Sequence, residues 1–454
     1  MDANMLPSAF LRRNCVFELL LLLAVQAIQA SADDWPQWNG PTRDGVLRES
    51  GIITRIPDGG LLKLWEQPVN LGYSGAAVVN GRVYVTDYVK ASGDVTNNPG
   101  SRDNLKGTER VLCFDAVRGT PVWEYKYNRP YAVSYGSGPR VTPTIYDGLV
   151  YSLGAEGNLI CLHADSGKVV WDSDFTKDYS AETPHWGHSA APLIYRETVI
   201  CLVGGEGTLV VAFDRRTGQE HWRSLSASAT GYCSPTVIRA GGTDQLLIWD
   251  PDTLHSLNPA TGYEYWNHPL KPGFGMSILP PIHEGNLLYA SGVSRVSGMF
   301  RLADDRPEAE VLWRGNPRNS IYLATSAAVF DQGYLYGADT HSGALVCARA
   351  SDGKRIWQTA RPTSGEDGLR GKSNASAFLI KTENGYLILS DTGDLISATL
   401  TPQGYTETGR FHAIDPIEVI GKRNVVWTFP AVSDRRLYLR NGQSIVCYSL
   451  KDNS

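Results

Sequence analysis

From about residue 61 to residue 450, apolar and polar residues alternate over short runs that end in turn residues, as in "GLVYSLGAEG" (148–157) and "GYLYGADTHSG" (333–343). This period-two pattern predicts β-strands. Ahead of such runs stand stretches rich in small residues, including "HSAAPLIY" (188–195), "YCSPTVI" (232–238) and "TSAAVF" (325–330). Behind them comes a hairpin that ends in tryptophan. The segments "ERVLCFDAVRGTPVW" (109–123), "GNLICLHADSGKVVW" (157–171), "DTLHSLNPATGYEYW" (252–266) and "GALVCARASDGKRIW" (343–357) are in register, and "GTLVVAFDRRTGQEHW" (207–222) carries one extra residue.

The endings at Trp65, Trp123, Trp171, Trp222, Trp266, Trp313 and Trp357 recur about every 49 residues, a period of propellers and solenoids. Each unit reads as four short strands: a small-residue inner strand, a second, a third, and an outer strand bearing tryptophan. Four antiparallel strands per repeat predict an all-β propeller in which the tryptophans pack between blades. Trp65 has the ending without its hairpin, whereas "NVVWTFPAVS", "RRLYLRN" and "QSIVCYSL" supply only three strands at the other end. An N-terminal strand therefore closes the last blade, which gives eight. Seven remains open if 274–313, where the hairpin signature is degraded, is an insertion.

Composition agrees: Gly 46, Tyr 22 and Trp 12 against Met 4 describe a turn-rich, aromatic β protein. The formal net charge of -5 gives no basic footprint for nucleic acid. Arg12 and Arg13 precede "LLLLLAVQAI" (19–28) and the small-residue site "ASA" (30–32), an export signal too short to span a bilayer. The expected organisation is a signal peptide at 1–32, an extension at 33–60 and one propeller domain at 61–450, exported to the periplasm or secreted, with no membrane span after cleavage. Of the six cysteines that follow the signal, Cys113, Cys161 and Cys347 hold one repeat position and Cys447 sits close to it. Equivalent positions in neighbouring units lie too far apart to bridge, so buried free thiols are expected.

The tandem "D-x-x-[TS]-G-x-x-x-W" endings resemble the pyrroloquinoline-quinone (PQQ)-like propeller superfamily, over roughly residues 60 to 450. That superfamily holds quinoprotein alcohol dehydrogenases and cofactor-free propellers such as the outer-membrane assembly lipoprotein BamB. "WPQWNGPTRDGV" (35–46) further resembles the start of exported PQQ-like propeller proteins of planctomycetes. The enzymes carry an adjacent cysteine pair over the quinone and hold Ca²⁺ with Glu and Asn beside a catalytic Asp. This chain has no Cys-Cys pair and no C-x-x-C-H haem site, and a lipobox cysteine of the BamB kind is missing too.

Propeller ligands meet where the inner strands begin. Those starts supply Tyr73, Arg140, His185, His188, Tyr232, Lys372, Asn374 and Trp427 as candidate cofactor-binding residues, joined by Ser74, Met276, Ser277 and Thr325. In "HWGH" (185–188) two imidazoles could suit a metal, but no third ligand stands at a convincing spacing, so no metal site and no catalytic residue is assigned. Asp115 and Asp214 fit turn caps, and "SGDVTNNPGSRDNLKG" (92–107) is a polar insertion too long for a turn. The expected function is a non-catalytic scaffold of the cell envelope, monomeric and cofactor-free, holding an envelope protein or small ligand at its rim or channel. The alternative is a PQQ- and Ca²⁺-dependent alcohol or sugar dehydrogenase, with Arg140, Lys372 and Asn374 on the quinone and Trp427 as its floor.

Overall fold

The computed structural model describes residues 34–452; the expected signal peptide lies outside them. Eight four-stranded antiparallel sheets form the blades of a β-propeller. Blade one runs over 77–128, followed by blades at 144–174, 193–224, 236–269, 282–314, 329–359 and 377–412. Blade eight takes Ala431–Ser433, Arg436–Arg440 and Ser444–Ser449 from one end of the chain and Lys63–Pro68 from the other, with Trp65 paired to Cys447. Eight blades are thus present, and 282–314 is a complete one despite its degraded hairpin.

The recurring tryptophans act between blades. The indole N–H donates to a backbone carbonyl in the next blade's hairpin, from Trp65 to Ala116 (3.0 Å), Trp123 to Ala164 (2.9 Å), Trp171 to Arg215 (3.0 Å), Trp313 to Ala350 (2.8 Å) and Trp357 to Thr401 (2.7 Å). The Trp65, Trp123, Trp171 and Trp313 rings also cover that hairpin's glycine. Gly119 has φ 71°, and a Cβ there would stand 2.6 Å from the Trp65 ring, so positive φ and the covering indole both demand glycine. Trp266 faces the degraded blade and turns instead to Gln245 Oε1 of its own blade, at 2.8 Å.

The repeated cysteines have a matching cause. Five of these indoles stand beside a register shift in their strand and opposite a small residue: Cys113, Cys161, Cys347 and Cys447 face Trp123, Trp171, Trp357 and Trp65, and Ala212 faces Trp222. All six cysteines of the described residues are free and buried. Burial pushes the Cys113 and Cys161 thiols up to about 12, which leaves them inert packing groups.

Residues 34–56, ahead of the first strand, are woven into the ring. Trp35 exchanges backbone hydrogen bonds with Val78 of blade one, Ile145 of blade two donates to Pro36, and Leu47 donates to Lys381 of blade seven. Trp38 meets Phe429, ahead of blade eight, edge-on at 5.1 Å. Arg43, 5 % exposed, donates to the carbonyls of Ala191, Pro192 and Pro235 ahead of the inner strands of blades three and four. Burial among neutral acceptors lowers its pKa to about 9. The segment therefore ties together blades one to four, seven and eight; the candidate residues lie ahead of the inner strands, at the end of the channel where those strands begin.

Candidate functional site

At that end of the channel, three of the candidate residues are tied to one another or to the insertion. Arg140 lies with its guanidinium carbon 5.5 Å from the Tyr73 ring centroid and donates to the carbonyls of Gly138, Ser134 and Tyr135. Tyr73 is buried and donates its hydroxyl to Asn97 Oδ1 at 3.3 Å. His185 Nε2 stands 3.0 Å from the Pro99 carbonyl. Asn97 and Pro99 belong to the polar insertion, which also bonds Val419 through Asn97 Nδ2 (3.0 Å) and accepts from Ser134 through the Asn98 carbonyl (2.7 Å). The insertion thus folds over the mouth from blade one towards blades two, three and eight.

Tyr232 stacks edge-to-face with Trp186 at 5.7 Å, and Trp427 does so with Tyr135 at 6.0 Å. The two histidines of "HWGH" take different neighbours. His185 serves the insertion, whereas His188 is 2 % exposed against the Phe175 ring at 5.6 Å. Burial, with a lesser contribution from Arg129, drops its pKa to about 4, so it is neutral. Lys372 and Asn374 are exposed, and Asn374, at φ 59°, works through its backbone: its N–H donates to Thr340 and its carbonyl accepts from Arg423.

Two buried acids at the mouth were not singled out from sequence. Asp391 accepts from the Ser376 N–H (2.9 Å) and from Arg423 (2.8 Å), and burial raises its pKa. Glu418 accepts from the Gly442 N–H at 2.6 Å, and burial raises its pKa as well. A signal for Asp391 exists: "VTD" (85–87), "GAD" (337–339) and "LSD" (389–391) stand at equivalent points of their blades' second strands. Asp87 and Asp339 likewise each accept a loop N–H, from Asn70 and Tyr322, and pair with an arginine. Glu418 sits on a two-stranded hairpin, Glu418–Ile420 with Arg423–Val425, that no repeat announces.

A calcium-held quinone requires oxygen donors that converge on one cation and a free cationic clamp. Asp391 is already paired with Arg423, the Arg140 guanidinium is engaged by three carbonyls, and the Tyr73 hydroxyl is held by the insertion. Among the described residues no group of three His, Cys, Asp or Glu is placed to hold a metal. This donor set does not fit the group. Asp115 and Asp214 cap their hairpins by accepting from Arg118 (2.8 Å) and Thr217 (2.8 Å).

The profile of the family described as outer membrane protein assembly factor BamB matches residues 57–233, 107–359 and 206–452. Among curated proteins, the quinoprotein ethanol dehydrogenase of Pseudomonas aeruginosa is 24% identical over 226 residues, 45% of this chain and 35% of that protein. The 1-butanol dehydrogenase (quinone) of Thauera butanivorans is 23% identical over 203 residues, 40% and 31% respectively. The chain spans about a third of the length of these relatives. Among solved structures, BamB from Moraxella catarrhalis aligns with TM-score 0.54 and 16% identity, covering 86% of this chain and 99% of that one. Quinohemoprotein alcohol dehydrogenase from Comamonas testosteroni aligns with TM-score 0.58 and 14% identity, covering 93% and 81%. These structural likenesses show the fold, and with the profile running across blades one to eight, the chain belongs to the BamB family of PQQ-like β-propellers.

Proposed function

We propose that the protein is a non-catalytic binding or scaffolding propeller of the cell envelope, exported to the periplasm or secreted, acting as a monomer on an envelope protein or small ligand. The observation that carries this reading is the commitment of the two groups that would clamp a quinone, Arg140 and Tyr73, to the protein itself. Arg140 and Tyr73, which a quinone would need, hold backbone carbonyls and the insertion. The BamB likeness supports an envelope protein as partner, and none of the described helices is long and apolar enough to cross a membrane. The quinoprotein relatives keep PQQ with calcium as the competing reading.

Titration of the purified protein with PQQ and Ca²⁺, following melting temperature and quinone absorbance together, separates the two. A ligand that binds only the native state stabilises it by RT ln(1 + [L]/Kd). No shift at ligand excess is expected. A shift that requires both ligands overturns the scaffold reading in favour of an oxidoreductase.

A further inference from the structure

The mouth gathers buried polar atoms that have no partner within the protein. They are the indole N–H groups of Trp186 and Trp427, the Ser277 hydroxyl, Asp391 Oδ1 and Glu418 Oε2. Ser277 and Asp391 are fully buried, each at 0 % exposure. Burying such groups unpaired is costly, so a set of them concentrated at one place points to something that pairs with them.

The five groups reach the mouth from three sectors of the ring: Trp186 from ahead of blade three, Ser277 from ahead of blade five, and Asp391 of blade seven with Glu418 and Trp427 from between blades seven and eight. Val425 pairs with Glu418, and Val426 donates to the Asp391 carbonyl at 2.8 Å, so both acids flank the segment that carries Trp427. Tyr232 links the other side: its ring meets Trp186, and its N–H donates to the Ser277 carbonyl at 3.1 Å. The insertion joins these sectors, with the Pro99 carbonyl 3.0 Å from His185 Nε2, next to Trp186, and Asn97 donating to Val419, next to Glu418; Arg140 is bonded to Tyr135, whose ring meets Trp427.

The chemistry of the set selects its ligand. An anion would satisfy the three donors and then face two carboxylates. A cation would satisfy the carboxylates and then face Arg140 and Arg423. A ligand whose hydroxyls each donate and accept suits both kinds of group, and its C–H face suits indole and phenol rings. We infer that the channel mouth binds a neutral saccharide, with Trp186, Trp427 and Ser277 donating to its oxygens and Asp391 and Glu418 accepting its hydroxyl protons. This inference rests on the reading of the protein as a binding module and names the ligand class for the same mouth.

The test follows the indole ¹H–¹⁵N resonances of the ¹⁵N-labelled protein, assigned with W186F and W427F, during titration with glucose, N-acetylglucosamine and cellobiose. The resonance of Trp65, committed to Ala116, serves as the internal control. With at least one of these sugars, saturable shifts of Trp186 and Trp427 are expected while Trp65 stays still. W427F should keep the melting temperature and weaken that sugar about tenfold, the scale of one hydrogen bond. Unmoved indoles with all three sugars, or a W427F variant that binds as the parent does, overturn the inference and leave the scaffold reading standing. Movement with PQQ and Ca²⁺ alone overturns both.

Discussion

Trp171 reaches out of its own blade and donates its indole N–H to the carbonyl of Arg215, 3.0 Å away in the next. The Tyr151 hydroxyl donates to the same oxygen at 2.9 Å. The equivalent indole of Trp222 is buried without a partner. Replacing each by phenylalanine therefore removes different things. W171F should cost about 1 kcal/mol more than W222F, the net worth of one buried hydrogen bond, read from urea unfolding midpoints at unchanged slope.

Closure of blade eight leads to a second expectation. Trp65 is 8 % exposed, packs near the Tyr438 ring at 5.9 Å and covers Gly119. W65A should destabilise by about 3–5 kcal/mol, as large-to-small changes at buried aromatics do. Increased protease cutting between residues 60 and 70 would show that the closing strand has come loose.

Gly119→Ala tests the same contact from the other side. The new methyl meets the Trp65 ring at 2.6 Å, and φ 71° strains any residue with a Cβ. A loss of about 1–3 kcal/mol is expected. Gly148→Ala, at φ 74° with open space around it, should lose less, and the gap between the two isolates the indole contact.

Glu109 is buried and accepts from the Tyr131 hydroxyl at 2.8 Å. Burial raises its pKa from 4.5 to about 7. The folded state thus holds a proton that the unfolded chain releases, and stability falls as pH rises through that window. E109Q should flatten this part of the profile and stabilise the protein by up to about 3 kcal/mol above pH 7, measured as melting temperature against pH.

His255 works in a different range. Burial alone would lower its pKa, but hydrogen bonds with Asp250 (3.1 Å) and Glu264 (2.6 Å) raise it above 6.5. Its stabilisation is complete below pH 6.5 and is lost as pH rises through the folded value. H255Q should erase that contribution, so that the melting temperature falls less with rising pH above 6.5 than in the parent.

The blades were legible because each hairpin writes its own turn and its own tryptophan in adjacent residues. Closure of the last blade by the Trp65 segment followed from counting strands at both ends. The same local reading explains what stayed hidden. Nothing near Asn97 announces that it bonds Tyr73 and Val419, and Glu418 lies on a hairpin outside the repeat. Tyr73, Arg140, Tyr232 and Trp427 were picked out by repeat phase alone, which gives position but not what each polar atom holds. Asp391 could have been found by aligning the second strands, where acids recur at Asp87, Asp250 and Asp339.

The stretch from Trp35 to Leu47 adds a constraint of timing. Its partners run from Val78 to Lys381 and Phe429, so the stretch made before any blade cannot complete its contacts until blades seven and eight exist. Sequence separations of this size slow folding, because loop-closure entropy must be met before such contacts return any energy. The earliest stretch of the described chain therefore acts as a late latch. It engages only after the ring has been assembled, and it joins first-made residues to last-made ones in one cooperative unit.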